Sequence, residues 1–122
     1  MNILVVEDDD FCATLLRHIF EREGYAVEHV MDGKVARKVI EKRKPPDVVV
    51  LDYMLPYVSG LDLLKEMRSH EDKWKDVPVI FLSARTSQQD IAKVLDAGAN
   101  DYVTKPFGID ELGARVRRAA GL

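Results

Sequence analysis

Five polar residues of this 122-residue chain stand at the ends of apolar runs. Glu7 and Asp8 close the run Asn2 to Val6, and Asp52 closes Val48 to Leu51. Ser83 follows Val77 to Leu82, and Lys105 follows Asp101 to Thr104. If the runs are strands of one doubly wound sheet, their ends share an edge, where such sheets bind ligands. Three carboxylates gathered there repel one another unless a cation neutralises them. Oxygen donors without histidine or cysteine suit a hard cation, and few protein ligands with room for water favour magnesium (or manganese) over calcium. The run Glu7-Asp8-Asp9-Asp10 lacks the alternation and the glycine of a calcium loop. A hard cation beside one carboxylate, with an ammonium opposite, is an arrangement for phosphoryl transfer.

In that chemistry an aspartate attacks phosphorus and becomes an acyl phosphate. Asp52 is the candidate nucleophile because it ends the run expected to lie most centrally. Glu7 and Asp8 would hold the metal. Lys105 would pair with Asp52 before transfer and with the phosphoryl group afterwards, and Ser83 would hydrogen-bond a phosphoryl oxygen. Each residue alone has a plainer reading: a solvated capping loop, a turn, a helix cap, a surface lysine before Pro106. Their joint placement at strand ends favours the site.

The elements that must position these residues alternate strictly. Strand-like runs Asn2–Val6, Ala26–Val30, Val48–Leu51, Val77–Leu82 and Asp101–Thr104 are separated by stretches with helical spacing. The expected apolar faces are Phe11, Leu15, Leu16, Ile19 and Phe20, then Val35, Ala36, Val39 and Ile40. Next come Leu61, Leu64 and Met67, then Ile91, Ala92, Val94 and Leu95, and last Ile109, Leu112 and Val116. Asp9 or Asp10 caps the first helix, Asp32 the second, and Gly24 and Gly98 end the first and fourth. Strict alternation predicts an α/β fold with a five-stranded parallel sheet and helices on both faces. The first and third runs are the most apolar, which points to the flavodoxin-like strand order 2-1-3-4-5.

Composition narrows the class. Apolar residues make up 47% and charged residues 32%, and a net charge of −3 excludes a bulk basic footprint for nucleic acid. One cysteine, Cys12, excludes an internal disulfide and a cysteine-based zinc site. The start of the chain has no signal-peptide pattern, and no apolar stretch approaches a membrane span. A reducing cytoplasm is the expected setting, with one domain over residues 1–122.

The sequence resembles the receiver domain of bacterial two-component response regulators over nearly its whole length. The resemblance is carried by Ile3-Leu4-Val5-Val6-Glu7-Asp8, Gly24-Tyr25, Asp32-Gly33 with Ala36, and Asp47 through Asp52. It continues through Met54-Leu55-Pro56, Gly60, Pro78-Val79-Ile80, Ser83-Ala84, Gly98-Ala99, Asp101-Tyr102 and Lys105-Pro106-Phe107. It implies that Asp52 is the phosphoacceptor, with Asp8 on magnesium directly and Glu7 through water. Met54 lends its backbone carbonyl to the metal. Ser83, with Ala84 beside it, and Lys105 bind the phosphoryl group, Tyr102 is the aromatic switch residue, and the Lys105-Pro106 bond is cis.

The resemblance also implies partners and an output. A sensor histidine kinase or histidine phosphotransfer protein presents a phosphohistidine, and the domain catalyses only its own phosphorylation and dephosphorylation. The surface of the fourth helix, fifth strand and fifth helix then changes to control an output partner or domain. Lys93, Asp96, Asp101, Glu111, Arg115 and Arg118 lie on that surface. They are similar to the charged face through which receivers joined to winged-helix domains dimerise, against the plainer reading of a solvated surface. No direct contact with nucleic acid or membrane is expected of this domain. Met54 and Arg85, two residues beyond Asp52 and Ser83, would shield the acyl phosphate and lengthen its life.

Other readings fit less well. A phosphohydrolase of the haloacid dehalogenase type needs a second aspartate two residues after the nucleophile, where this chain has Met54. A flavodoxin needs a phosphate loop after the first strand, where four acids would repel a phosphate. A scaffold that has lost the chemistry would not keep the full set of charged residues. No effector domain follows Leu122, which leaves open a stand-alone regulator or a receiver cut from a longer protein. Cys12 reads as a packed or surface helix residue, and Trp74 as a packing anchor. His18, His29 and His70 lie on separate elements without ligand spacing.

Overall fold

A computed structural model describes residues 1–122. The strands are β1 (Asn2–Val6), β2 (Ala26–Val30), β3 (Val48–Leu51), β4 (Val79–Ser83) and β5 (Asp101–Thr104). The helices are α1 (Asp10–Arg22), α2 (Gly33–Lys42), α3 (Gly60–Arg68), α4 (Gln88–Asp96) and α5 (Ile109–Ala119), with a 3-10 turn at Lys73–Asp76. All strand pairings are parallel, in the order β2-β1-β3-β4-β5. The central strands β1, β3 and β4 are buried on both faces apart from Asn2 at the start. That explains their unbroken runs of Val, Ile and Leu.

The two faces of the sheet carry separate cores. Leu4, Val49, Leu51 and Phe81 pack with α2, α3 and α4 on one side. Ile3, Val5, Val50 and Leu82 pack with α1 and α5 on the other. Alternation along each strand sends successive side chains to opposite cores. Trp74, 1% exposed, anchors the first core and donates its Nε1 hydrogen to the Arg43 carbonyl at 2.7 Å.

The helix faces differ in part from those expected. Phe11 is 81% exposed, and Leu15, Val35, Leu95 and Ile109 also face solvent. On α1 their places in the core belong to Cys12 and Ala13. Burial, with the charge of Glu7 beside it, pushes the Cys12 thiol up to about 11, which keeps it a protonated packing residue. The fourth strand begins at Val79, two residues later than expected, and includes Ser83. Val77 is buried, but its backbone N–H closes the 3-10 turn by bonding the Trp74 carbonyl.

Candidate functional site

Each site residue is placed by a local device. Glu7 and Asp8 follow β1 directly, and Asp9 turns the chain by capping α1, accepting from the Phe11 and Cys12 backbone N–H groups. Asp52 follows the central strand, where its backbone N–H donates to the Val6 carbonyl at 3.1 Å. Gly60 starts α3 directly against it: a Cβ there would lie 2.0 Å from the Asp52 carbonyl oxygen. Only glycine lets the helix and the end of β3 approach so closely. Gly33 at the start of α2 likewise leaves room for Val58 of the loop after β3.

The strand ends meet as expected. Carboxylate oxygens of Glu7, Asp8 and Asp52 all lie within 4.8 Å of one another. Lys105 reaches across from the end of β5 and donates to Asp52 Oδ2 at 3.1 Å. It also donates to Glu7 Oε2 at 2.9 Å, a contact the sequence reading missed. No spacing rule signals that pair; it follows from the strand order together with the reach of a lysine. The Lys105-Pro106 peptide bond is cis. The other oxygens are partly used: Glu7 Oε1 accepts the Asp9 N–H at 3.2 Å, and Asp52 Oδ1 the Met54 N–H at 3.3 Å. Asp8 is exposed, whereas Glu7 and Asp52 are 1% and 7% exposed.

Burial dominates the electrostatics. It pushes the Glu7 carboxyl up to about 7, against the pull of the Lys105 hydrogen bond and with the charge of Asp52 adding to the rise. Burial alone would lower the Lys105 ammonium. The hydrogen bonds and charges of Glu7 and Asp52 outweigh it and hold the lysine above its ordinary value, so it stays charged. One ammonium among three carboxylates leaves negative charge in excess. The all-oxygen donor set and that excess fit a divalent hard cation.

Ser83 is buried at the end of β4, and its Oγ accepts the Arg85 N–H at 3.2 Å. Ala84 next to it is exposed. Tyr102 is half-buried and donates its hydroxyl hydrogen to the Arg85 carbonyl at 2.8 Å. The Met54 side chain is 58% exposed at the rim. Farther off, Asp101 accepts from Arg115 at 2.8 Å and Arg118 at 3.1 Å, and Arg115 also donates to Glu111 at 3.0 Å. Those charges pair within the chain. Lys93 and Asp96 on α4 are exposed and join no ion pair. His29 contacts the Glu7 carbonyl oxygen through Nε2 at 2.7 Å and stands outside the carboxylate cluster.

A parallel sheet in this order, with an acidic cluster and a lysine on its carboxyl edge, defines a receiver-type fold. The family model of the response regulator receiver domain matches residues 3–117, and the chain belongs to that family. It is 45% identical over 117 residues to the transcriptional regulatory protein KdpE of Mycobacterium tuberculosis, covering 96% of this chain and 50% of that protein. It is 43% identical to the response regulator MprA of Mycolicibacterium vanbaalenii, covering 96% and 49%. The chain thus spans about half the length of the curated relatives it matches.

Solved structures agree. The receiver domain of a Francisella response regulator superposes with a TM-score of 0.88 at 38% identity, covering 98% of this chain and 96% of that one. The receiver domain of a Pseudomonas aeruginosa sensor histidine kinase, with magnesium coordinated in its active-site cleft, gives 0.88 at 35%, covering 99% and 98%. The BeF3-activated receiver domain of Klebsiella pneumoniae RstA gives 0.89 at 30%, covering all of both chains.

Proposed function

We propose that this receiver domain takes a phosphoryl group onto Asp52 from the phosphohistidine of a sensor histidine kinase or phosphotransfer protein, in a magnesium- or manganese-dependent reaction. The observation that carries the reading is Lys105 bonded to Asp52 and Glu7 inside a carboxylate cluster. Glu7, Asp8, Asp52 and the Met54 carbonyl would hold the cation. When bound, it offsets charge on the phosphoryl oxygens. Asp52 attacks in line; its new phosphorus–oxygen bond forms as the donor's phosphorus–nitrogen bond breaks and the imidazole leaves with the electron pair. Lys105, charged and already at Asp52 Oδ2, is placed to follow the phosphoryl oxygens. The chain acts as its own catalyst and turns over no other substrate.

The donor needs a landing surface beside the site. Phe11 and Leu15 on the outer face of α1, close to Asp8, supply exposed apolar area for a phosphohistidine-bearing partner. After transfer, new charge and acceptor oxygens at Asp52 draw the Ser83 hydroxyl. Tyr102 then moves inward, and the α4-β5-α5 surface shifts between two packings. The output is a following domain or a target protein, and this domain itself touches neither nucleic acid nor membrane. A phosphorylation-dependent homodimer through α4-β5-α5 would exchange some of the internal Asp101, Glu111, Arg115 and Arg118 pairs for pairs across a two-fold axis with Lys93 and Asp96. No helix is long and apolar enough to cross a membrane, which suits a cytoplasmic setting.

The test is intact mass after incubation with acetyl phosphate and magnesium, beside Asp52→Ala and a magnesium-free control. One phosphoryl adduct that needs both the metal and Asp52 is expected. No adduct, with a silent beryllofluoride titration, would reduce the domain to a scaffold. Catalytic release of phosphate without an adduct would make it a phosphohydrolase.

A further inference from the structure

The ladder between β1 and β2 stops at Glu7. Its N–H donates to the Val30 carbonyl at 3.1 Å, the last rung of the parallel pairing. The next rung would run from the Asp32 N–H to the Glu7 carbonyl. Asp32 instead turns away to cap α2, accepting the Val35 N–H at 2.9 Å. That leaves the carbonyl of Glu7, a residue 1% exposed, without a backbone donor. The half-buried His29 ring takes the place, with Nε2 at 2.7 Å from the oxygen. A carbonyl oxygen only accepts, so Nε2 carries the proton and donates.

We infer that His29 is a positioning residue for the cation site: its Nε2–H, bonded to the Glu7 carbonyl, fixes the peptide unit that joins Glu7 to Asp8. The inference rests on the reading of Glu7, Asp8 and Asp52 as ligands of a divalent cation. The carbonyl lies in the same planar peptide as the Asp8 N–H, so a bond at its oxygen sets the plane that both residues share. The rest of the turn is held by its neighbours. The Glu7 N–H is taken by Val30, and Glu7 Oε1 accepts the Asp9 N–H at 3.2 Å. Asp8 has no such support. Its carboxylate is exposed and joins no hydrogen bond or ion pair within the chain, so its place in the cluster depends on the backbone. Hydrogen bonds from outside a ligand set orient the ligands and raise metal affinity, and His29 supplies one through the main chain.

The bond is read first without any metal. Proton–nitrogen correlation spectra of the unaltered chain are expected to show a proton on His29 Nε2. A ring protonated at Nδ1 alone overturns the inference. Magnesium binding is then measured by calorimetric titration. His29→Leu keeps the bulk and drops the donor, and is expected to weaken magnesium about three- to tenfold. His29→Gln offers an amide N–H at comparable reach and restores most of the affinity. With acetyl phosphate, His29→Leu needs more magnesium for half its maximal rate but reaches the unaltered rate at saturation, because Asp52 and Lys105 are untouched. A merely structural histidine would lower stability in urea melts and leave magnesium affinity alone. Equal affinity in the unaltered chain and His29→Leu therefore overturns the inference. If His29→Leu does not fold, His29→Val, a good strand former without a donor, decides the same comparison. No magnesium binding to the unaltered chain would instead overturn the cation reading of the site, and this inference with it.

Discussion

Two charged regions of the molecule both set carboxylates against basic side chains and behave oppositely. On the α5 face, Asp101 is matched by Arg115 and Arg118, with Glu111 on the same arginine. The three arginine and glutamate side chains stay at least 37% exposed, so water and neighbours already satisfy them. At the carboxyl edge, Glu7 and Asp52 are buried and share one lysine, and Asp8 stands beside them. The first region is balanced in itself. The second is left short of positive charge by the chain, and that shortage makes it a site. The number of charges does not separate the two; burial and the lack of balance do.

The contrast breaks most sharply at Lys105. Lys105→Met removes the only cation bonded to the cluster, and phosphorylation by acetyl phosphate should slow about 10²- to 10³-fold, the scale for losing one donor to transition-state charge. A stopped reaction read by intact mass measures it. Retention of near-normal rates would mean that the lysine merely balances charge, as the arginines of α5 do. Gly60→Ala comes next. Its Cβ would strike the Asp52 carbonyl, so the backbone must move, at a cost of about 1–3 kcal/mol in urea melts and with slower phosphorylation.

A third effect comes from Glu7. Its folded pKa is raised to about 7, so the folded state holds a proton the unfolded chain has released. The associated stability is present at low pH and is lost as pH rises through about 7. The apo chain should therefore melt lower at pH 8 than at pH 5.5 through this group. A divalent cation needs the proton gone, so magnesium affinity should fall below pH 7 by up to about tenfold per unit. Calorimetric titrations in two buffers of different ionisation enthalpy would count the released proton. A pH-independent affinity would show that Glu7 is already ionised before the cation arrives, which leaves the cluster further from balance than the α5 face.

What the sequence disclosed follows the same division. The strands were legible because β1, β3 and β4 are buried on both faces, and double burial writes itself as uninterrupted β-branched runs. Asp52, Asp8, Ser83 and Lys105 were legible because strand ends in a parallel sheet converge without further information. Helix faces were less so. Periodicity counts apolar residues and does not say which of them meets the sheet, so Phe11, Leu15 and Ile109 were placed inside while Cys12 and Ala13 were the ones packed. The Lys105–Glu7 bond and the His29–Glu7 contact were hidden for another reason. Each joins groups from different strand ends, and their distances exist only once the sheet is assembled.

The smallest effect concerns the balanced region. Arg118→Ala removes a side chain that is 74% exposed and shares Asp101 with Arg115. Asp101 keeps its shorter bond to Arg115, so no buried charge is orphaned, and the monomer should lose less than about 0.5 kcal/mol in urea melts. The same variant is sharper as a test of association. If α4-β5-α5 pairs across a two-fold axis, each dimer loses the residue twice, and sedimentation in beryllofluoride should show a weaker dimer at unchanged monomer stability. A large loss of monomer stability would mean that the α5 charges support the fold rather than face outward. That outcome would erase the distinction between a surface charge balanced by its neighbours and a buried cluster waiting for a cation.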